Sequence, residues 1–123
     1  MKFLIMVYSN PASRHLWEGM PEEDHLAFGR AHMELDRTIR ASGEHVASEG
    51  LADQALARRV RVRDGQSLVT DGPFPEVKEY LAGFYLVDCE DIERAVAIAA
   101  TVPDATFNDV EIRPVMDLSV VEW

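Results

Sequence analysis

His32 is the side chain in this sequence best suited to chemistry at neutral pH. An unperturbed imidazole titrates near pH ~6.5, so it can take or give a proton where carboxylates and lysines cannot. It lies on a periodic stripe, His25, Phe28, His32, Leu35 and Ile39, that a helix turns toward a core. The same position suits a histidine at the core edge that donates to a backbone carbonyl, and at this point both roles are open. Tyr8 and Tyr85 sit on apolar segments, where a hydroxyl can reach a ligand or cap a packed ring at the rim. Trp17, beside Leu16 and Met20, can form an apolar lid over a pocket or cover a helix end. Lys78, between Glu76 and Glu79, can bind an anionic group, depress a nearby carboxyl pKa, or stand as a solvated charge beside a turn. Asp71 reads first as a turn former and second as an acid.

Other chemistries fail on spacing. His25 and His32 have no third ligand in register, so no metal site is expected. The seven glycines are scattered and form neither a dinucleotide fingerprint nor a phosphate loop, and no G-x-S-x-G elbow occurs. No cofactor is expected. Cys89 is the single cysteine, which rules out an internal disulfide and suits a reducing compartment. It sits among Asp88, Glu90 and Asp91, carboxylates that would raise a thiol pKa and so argue against a reactive role.

Composition narrows the class further. With 47% hydrophobic and 28% charged residues, 123 residues make a globular chain with one core. A net charge of −10 disfavours nonspecific nucleic-acid or anionic-membrane binding. Arg58, Arg59, Arg61 and Arg63 read as the solvent face of a strand rather than an anion site. The start, MKFLIMVYSN, lacks a long apolar region and a small-residue cleavage site and reads as a first strand. No stretch approaches the ~18 to 20 apolar residues of a membrane span, so a soluble, cytoplasmic protein is expected.

The elements that must position these residues follow from period and punctuation. Lys2 to Tyr8 is apolar on both faces, a strand covered on both sides. Ser9 to Met20 reads as a loop. Pro21, followed by Glu22, Glu23 and Asp24, starts a helix that runs to about Ser42, and Gly43 caps it. Leu26 and Met33 widen its apolar stripe, while Glu34, Arg37 and Arg40 face away. Glu44 to Leu51 is a second strand, with His45, Ala47 and Glu49 on one face. Arg59 to Arg63 and Ser67 to Thr70 flank Asp64-Gly65, a hairpin signal. Tyr80 to Val87 is again apolar on both faces. Asp91 to Thr101 forms a short helix with Ile92, Ala95, Val96 and Ala99 inward, and Phe107 to Arg113 is the last strand. The plan is α+β: βαββαβ with a hairpin inserted in its middle, one antiparallel sheet and two helices on one face. The two strands apolar on both sides require a second cover, and a second copy of the chain is the expected one. A single domain over residues 1–117 is expected, with a tail over residues 118–123 whose Leu118, Val120, Val121 and Trp123 reach toward the partner.

The stretch Val69 to Asp88, VTDGPFPEVKEYLAGFYLVD, carries the most specific signal. Asp71-Gly72-Pro73 is a tight turn in which Gly72 is expected to tolerate positive φ, and Pro73 and Pro75 restrict the residues before them. With VRVRDG ahead of it and VEIRPVMD near the C-terminus, the chain from Met1 to Asp117 resembles the DGPF family of small bacterial proteins related to the YCII domain. The resemblance implies a ferredoxin-like fold of the dimeric α/β-barrel group, dimerising through its sheets. It also implies that His32, at the YCII spacing from Gly43, is a general base or acid paired with an acidic residue. The family position for that acid falls after the second strand, where this sequence offers Glu49. Asp71 or Glu76 can substitute in space from the DGPF turn, which is an insertion relative to YCII domains.

Two functions are expected from this. The first is a cofactor-independent enzyme acting on a small molecule in a pocket between the sheet and the long helix. His32 moves the proton, Glu49 or Asp71 orients it, and Tyr8, Glu76, Lys78, Tyr85 and Trp17 contact the ligand. The second is a non-catalytic dimeric ligand-binding or regulatory module. Family members often lie beside genes for extracytoplasmic-function sigma factors, which implies a link to that signalling.

Overall fold

A computed structural model describes residues 1–74 and 76–120. Strand β1 (Lys2–Ser9) runs at the centre of a four-stranded antiparallel sheet. It is flanked by β5 (Tyr80–Asp88) and β6 (Val110–Pro114), with β2 (His45–Gly50) on the far side of β5. The order β2-β5-β1-β6 is ferredoxin-like and makes the two doubly apolar segments the central strands, as their composition predicts. On one face Phe3, Ile5, Val7, Tyr85 and Val87 form a core with Leu35 and Ile39 of helix α2 and Ala95, Ile98 and Ala99 of helix α3. Helix α2 spans Glu22–Ser42 and α3 spans Ile92–Ala99. Ile5, Val87 and Ala95 are fully enclosed. Burial of a side chain the size of Ile5 or Val87 contributes roughly 1.5 to 3 kcal/mol.

Helix α2 starts and stops on local signals. Pro21 is its N-cap rather than its first helical residue, its carbonyl accepting from the amides of Asp24 and His25. Glu22, Glu23 and Asp24 occupy the first turn, at the positive end of the dipole. Gly43 closes the helix at φ 82°, where a Cβ would be strained. Of the residues expected on its buried stripe, Leu35 and Ile39 are buried, whereas Leu26 and Met33 are exposed. They lie at the edges of the arc and the sheet covers only its centre.

Four further expectations are corrected. Residues Ser9 to Met20 are not all loop: Pro11–Glu18 form helix α1. Asn10 caps it, its side chain accepting from the Ser13 amide while the Ser13 hydroxyl accepts from the Asn10 amide, and Pro11 fills the first turn. In α3 the buried stripe is Ala95, Ile98 and Ala99, and Ile92 and Val96 are exposed. The helix is apolar nearly all round, so periodicity alone does not orient it. In β2 a bulge between His45 and Ala47 breaks the alternation. His45 therefore hydrogen-bonds Ser48 and lies near Asp36 on the helix side, while Ala47 and Glu49 share the other face. Finally, Gly72 does not have positive φ. It is needed because its backbone packs on the Gln54–Leu56 turn, donating to the Ala57 carbonyl at 2.7 Å. A Cβ there would lie 2.5 Å from the Gln54 carbonyl oxygen.

The inserted hairpin pairs β3 (Arg58–Arg63) with β4 (Gln66–Asp71) in a separate two-stranded sheet. Asp64 and Gly65 turn at φ 53° and 74°, the twist a two-residue hairpin needs. Both of its faces are exposed. At the C-terminus a short 3-10 turn covers Leu118–Val120, and Val121 and Trp123 lie outside the described residues. Among the described residues, no helix is long and apolar enough to cross a membrane.

Candidate functional site

Three elements bring three polar side chains together under α2. The α2 stripe carries His32 over the sheet, one turn beyond Phe28 and one before Leu35. Alternation along β5 turns Tyr85, with Gly83 and Val87, toward the helix. After α3, buried Val102 and Pro103 start a 3-10 turn, Pro103–Thr106, that presents Asp104. His32 Nδ1 lies 2.6 Å from the Tyr85 hydroxyl and Nε2 lies 2.7 Å from Asp104 Oδ1. His32 retains 28% and Asp104 16% of its side-chain exposure, so the chain of bonds is sheltered but reachable.

Chemistry assigns the protons. A carboxylate only accepts, so Nε2 carries a hydrogen and donates to Asp104. Burial, and next the charges of Asp104 and Asp36, push the Tyr85 pKa up to about 12. The phenol therefore keeps its proton at neutral pH and, when the imidazole is neutral, donates to Nδ1. If His32 gains a second proton, Nδ1–H donates to the phenol oxygen, and the Tyr85 hydrogen is released to point elsewhere. The triad thus has two states. With neutral His32, the Tyr85 oxygen offers lone pairs to a proton donor. With charged His32, its O–H offers a proton to an acceptor.

That phenol faces a cleft of about 590 Å³ walled by α2, β2 and β5, with His32, Asp36, Ser48, Tyr85 and Asp104 on its polar side. Its floor is opened by Gly50 and Gly83, paired across β2 and β5. A Cβ on Gly83 would sit 2.9 Å from the Glu49 carbonyl oxygen, so the close approach of the strands demands glycine there. Beside it β5 bulges at Ala82, where the register with β1 shifts. An aromatic row leads into the site. Trp17 stacks on His25 at 3.9 Å and meets Phe28 edge-on at 4.9 Å, and Phe28 meets His32 edge-on at 4.9 Å.

A second cleft, of about 410 Å³, adjoins the first and shares Phe28, Ala82 and Asp104 with it. Trp17, expected as a lid or a helix-end cover, lines this second space from α1. The other residues picked from sequence scatter. Glu49 borders the first cleft, but its strand position opposite Phe84 alternates away from the Ser48–Tyr85 pair, and it does not bond His32. Asp71 ends β4 in an ion pair with Arg58 at 3.2 Å, on the hairpin. Glu76 pairs with Arg59 at 3.2 Å, and Arg59 lies over the Phe74 ring at 3.9 Å. Lys78 is exposed and makes no hydrogen bond or ion pair among the described residues. Tyr8 is on the opposite sheet face, where its hydroxyl donates to Glu111 at 3.0 Å, and that bond raises its pKa.

The acid that meets His32 is Asp104, which sequence reasoning passed over. Pro103 followed by an acid, just past an apolar helix, is the only signal in the sequence. It reads as the end of a helix, not as half of a site.

The fold and this sheltered acid–histidine pair define a small ferredoxin-like α+β domain with a polar cleft beneath its long helix. The chain belongs to the YCII-related domain family, whose model matches residues 1–119. A similar protein is the uncharacterized protein R00369 of Rhizobium meliloti (strain 1021), 29% identical over 116 residues, covering 93% of this chain and 91% of that one.

Proposed function

We propose that this protein moves a proton to or from a small molecule held in the cleft below α2, with no cofactor in the step. The observation that carries this reading is the continuous bond chain from Asp104 through His32 to the Tyr85 hydroxyl, which opens on the cleft. In the base direction, the ligand's proton passes to the Tyr85 oxygen, the phenol proton passes to Nδ1, and Asp104 stabilises the imidazolium formed. In the acid direction the same transfers run backward. Positioned acid–base groups of this kind contribute roughly 10²- to 10⁴-fold in rate. The cleft's lining residues include no lysine or arginine, while Asp36 and Asp104 line it, which favours uncharged or cationic ligands over phosphates and carboxylates.

The test is proton exchange in D₂O, followed by NMR over a panel of small ketones, lactones and phenols. Wild-type protein is expected to exchange or convert at least one compound, while His32→Gln, Asp104→Asn and Tyr85→Phe lose that activity and stay folded. Compounds that bind reversibly in this cleft, with none exchanged or converted, would instead support a non-catalytic binding module.

The working unit we propose is a homodimer. Leu4, Met6, Tyr8, Phe84 and Leu86 lie on the sheet face away from the helices, where Met6 is buried and the other four stay partly exposed. A contiguous apolar face of this kind is stable in water when a second copy is laid on it.

A further inference from the structure

We propose that the second cleft is a binding site for an organic ammonium group, and that a ligand spanning both clefts places its cation there. Four aromatic rings, Trp17, Phe28, Tyr80 and Phe107, line this one space. Glu18, Asp53 and Asp104 line it too, and the single base among them, Arg14, is already engaged. Its Nη1 lies 2.6 Å from Asp53, and its Nε donates to Glu18 at 3.1 Å. Three carboxylates against one occupied guanidinium leave the cleft negative, and ring faces attract a cation through their quadrupoles. Aromatic walls with flanking acids are how quaternary and primary ammonium groups are held. An anion would meet carboxylates, and a neutral group would gain only the apolar contact. Asp104 joins the two spaces, so a bound cation there would sit beside the acid that orients His32.

The proposal rests on the proton-transfer reading only for the position of the ligand's reacting end. Its test is therefore binding rather than turnover. Choline is titrated into the full chain, with 3,3-dimethyl-1-butanol as the same shape without charge and 3,3-dimethylbutanoate as the anion. The readout is the NMR shift of the Trp17 indole N–H, assigned with Trp123→Phe, and of the Asn108 side-chain amide, which also lines the cleft. Choline is expected to shift both saturably and to bind roughly tenfold more tightly than the alcohol. Added salt should weaken choline binding and leave the alcohol unchanged. Asp53→Asn, which removes one acid and one of the two ion pairs of Arg14, should weaken choline several-fold and strengthen the butanoate.

Equal affinity for choline and the alcohol overturns the proposal, as does preference for the butanoate or a choline response confined to residues outside this cleft. His32→Gln separates the two readings. Retained choline binding together with retained proton exchange would sink the relay and leave the ammonium site standing. Proton exchange in wild type with no choline response at Trp17 or Asn108 would do the reverse.

Discussion

At the scale of single residues, the phenol of Tyr85 is held protonated beyond the ordinary tyrosine range, and this yields a direct prediction. Its pKa stands near 12 because burial, and secondarily the charges of Asp104 and Asp36, disfavour the phenolate. A spectrophotometric titration should show one tyrosine ionising toward pH 12, and Tyr85→Phe should remove that late component. Asp104→Asn should lower the Tyr85 pKa only part of the way back to 10, because burial is the larger cause and persists. The sign of the stability linkage follows. The folded pKa is raised, so Tyr85 contributes fully below pH 10, and that contribution fades as pH rises through about 12. His32 itself was legible from its place on a helical stripe. Its partners were not, because Asp104 lies 72 positions away and meets it only when the turn after α3 folds onto α2.

At the scale of elements, the glycines and the ion pairs that lock strands to helices carry the testable content. Gly83→Ala would drive a Cβ to within 2.9 Å of the Glu49 carbonyl, so β2 must move off β5. A loss of roughly 1 to 3 kcal/mol is expected in denaturant unfolding. Gly50→Ala, whose Cβ would meet nothing within 4 Å, should cost far less. Arg94 on α3 reaches back to Glu44 with two bonds of 2.9 and 2.7 Å, and these hold the Glu44 carboxyl down from 4.5 to about 2. A depressed acid stabilises the fold above its unfolded pKa and loses that effect as pH falls through the folded one. Glu44→Gln should therefore lower the melting temperature at pH 7, and the gap from wild type should close between about pH 4.5 and 2. The turn chemistry here was readable, since Asp64-Gly65 and Gly43 obey local backbone rules. The reason for Gly72 was not, because a carbonyl from the Gln54–Leu56 turn, not its own φ, excludes a side chain.

At the scale of the whole molecule, the sheet face away from the helices is where the proposed dimer can be tested. Phe84→Lys together with Leu86→Lys places two charges on that face while leaving the buried Tyr85 and Val87 in place. If a second copy covers the face, light scattering should show a dimer in wild type and a monomer in the variant, with the helix-side core intact. A wild-type monomer at micromolar concentration would refute the dimer. The hairpin adds to this picture. Val60, Val62 and Val69 stay more than half exposed, and isolated two-stranded ribbons are marginal in water.

What the sequence determined by itself is the set of features that depend on neighbours a few residues away. These are the long helix with its acidic start and glycine stop, the hairpin turn, the two doubly apolar central strands, and His32 on the inward stripe. They follow from a 3.6-residue period, a two-residue period and φ preferences, all of which are written locally. Tertiary structure alone decided the rest. It chose which side of the apolar helix α3 is buried, where the bulges in β2 and β5 re-aim side chains, and that Glu49 alternates away from His32. It also gave His32 an acid from the far end of the chain. Those outcomes depend on packing between distant segments, where several local patterns fit equally well and only the shared core selects one.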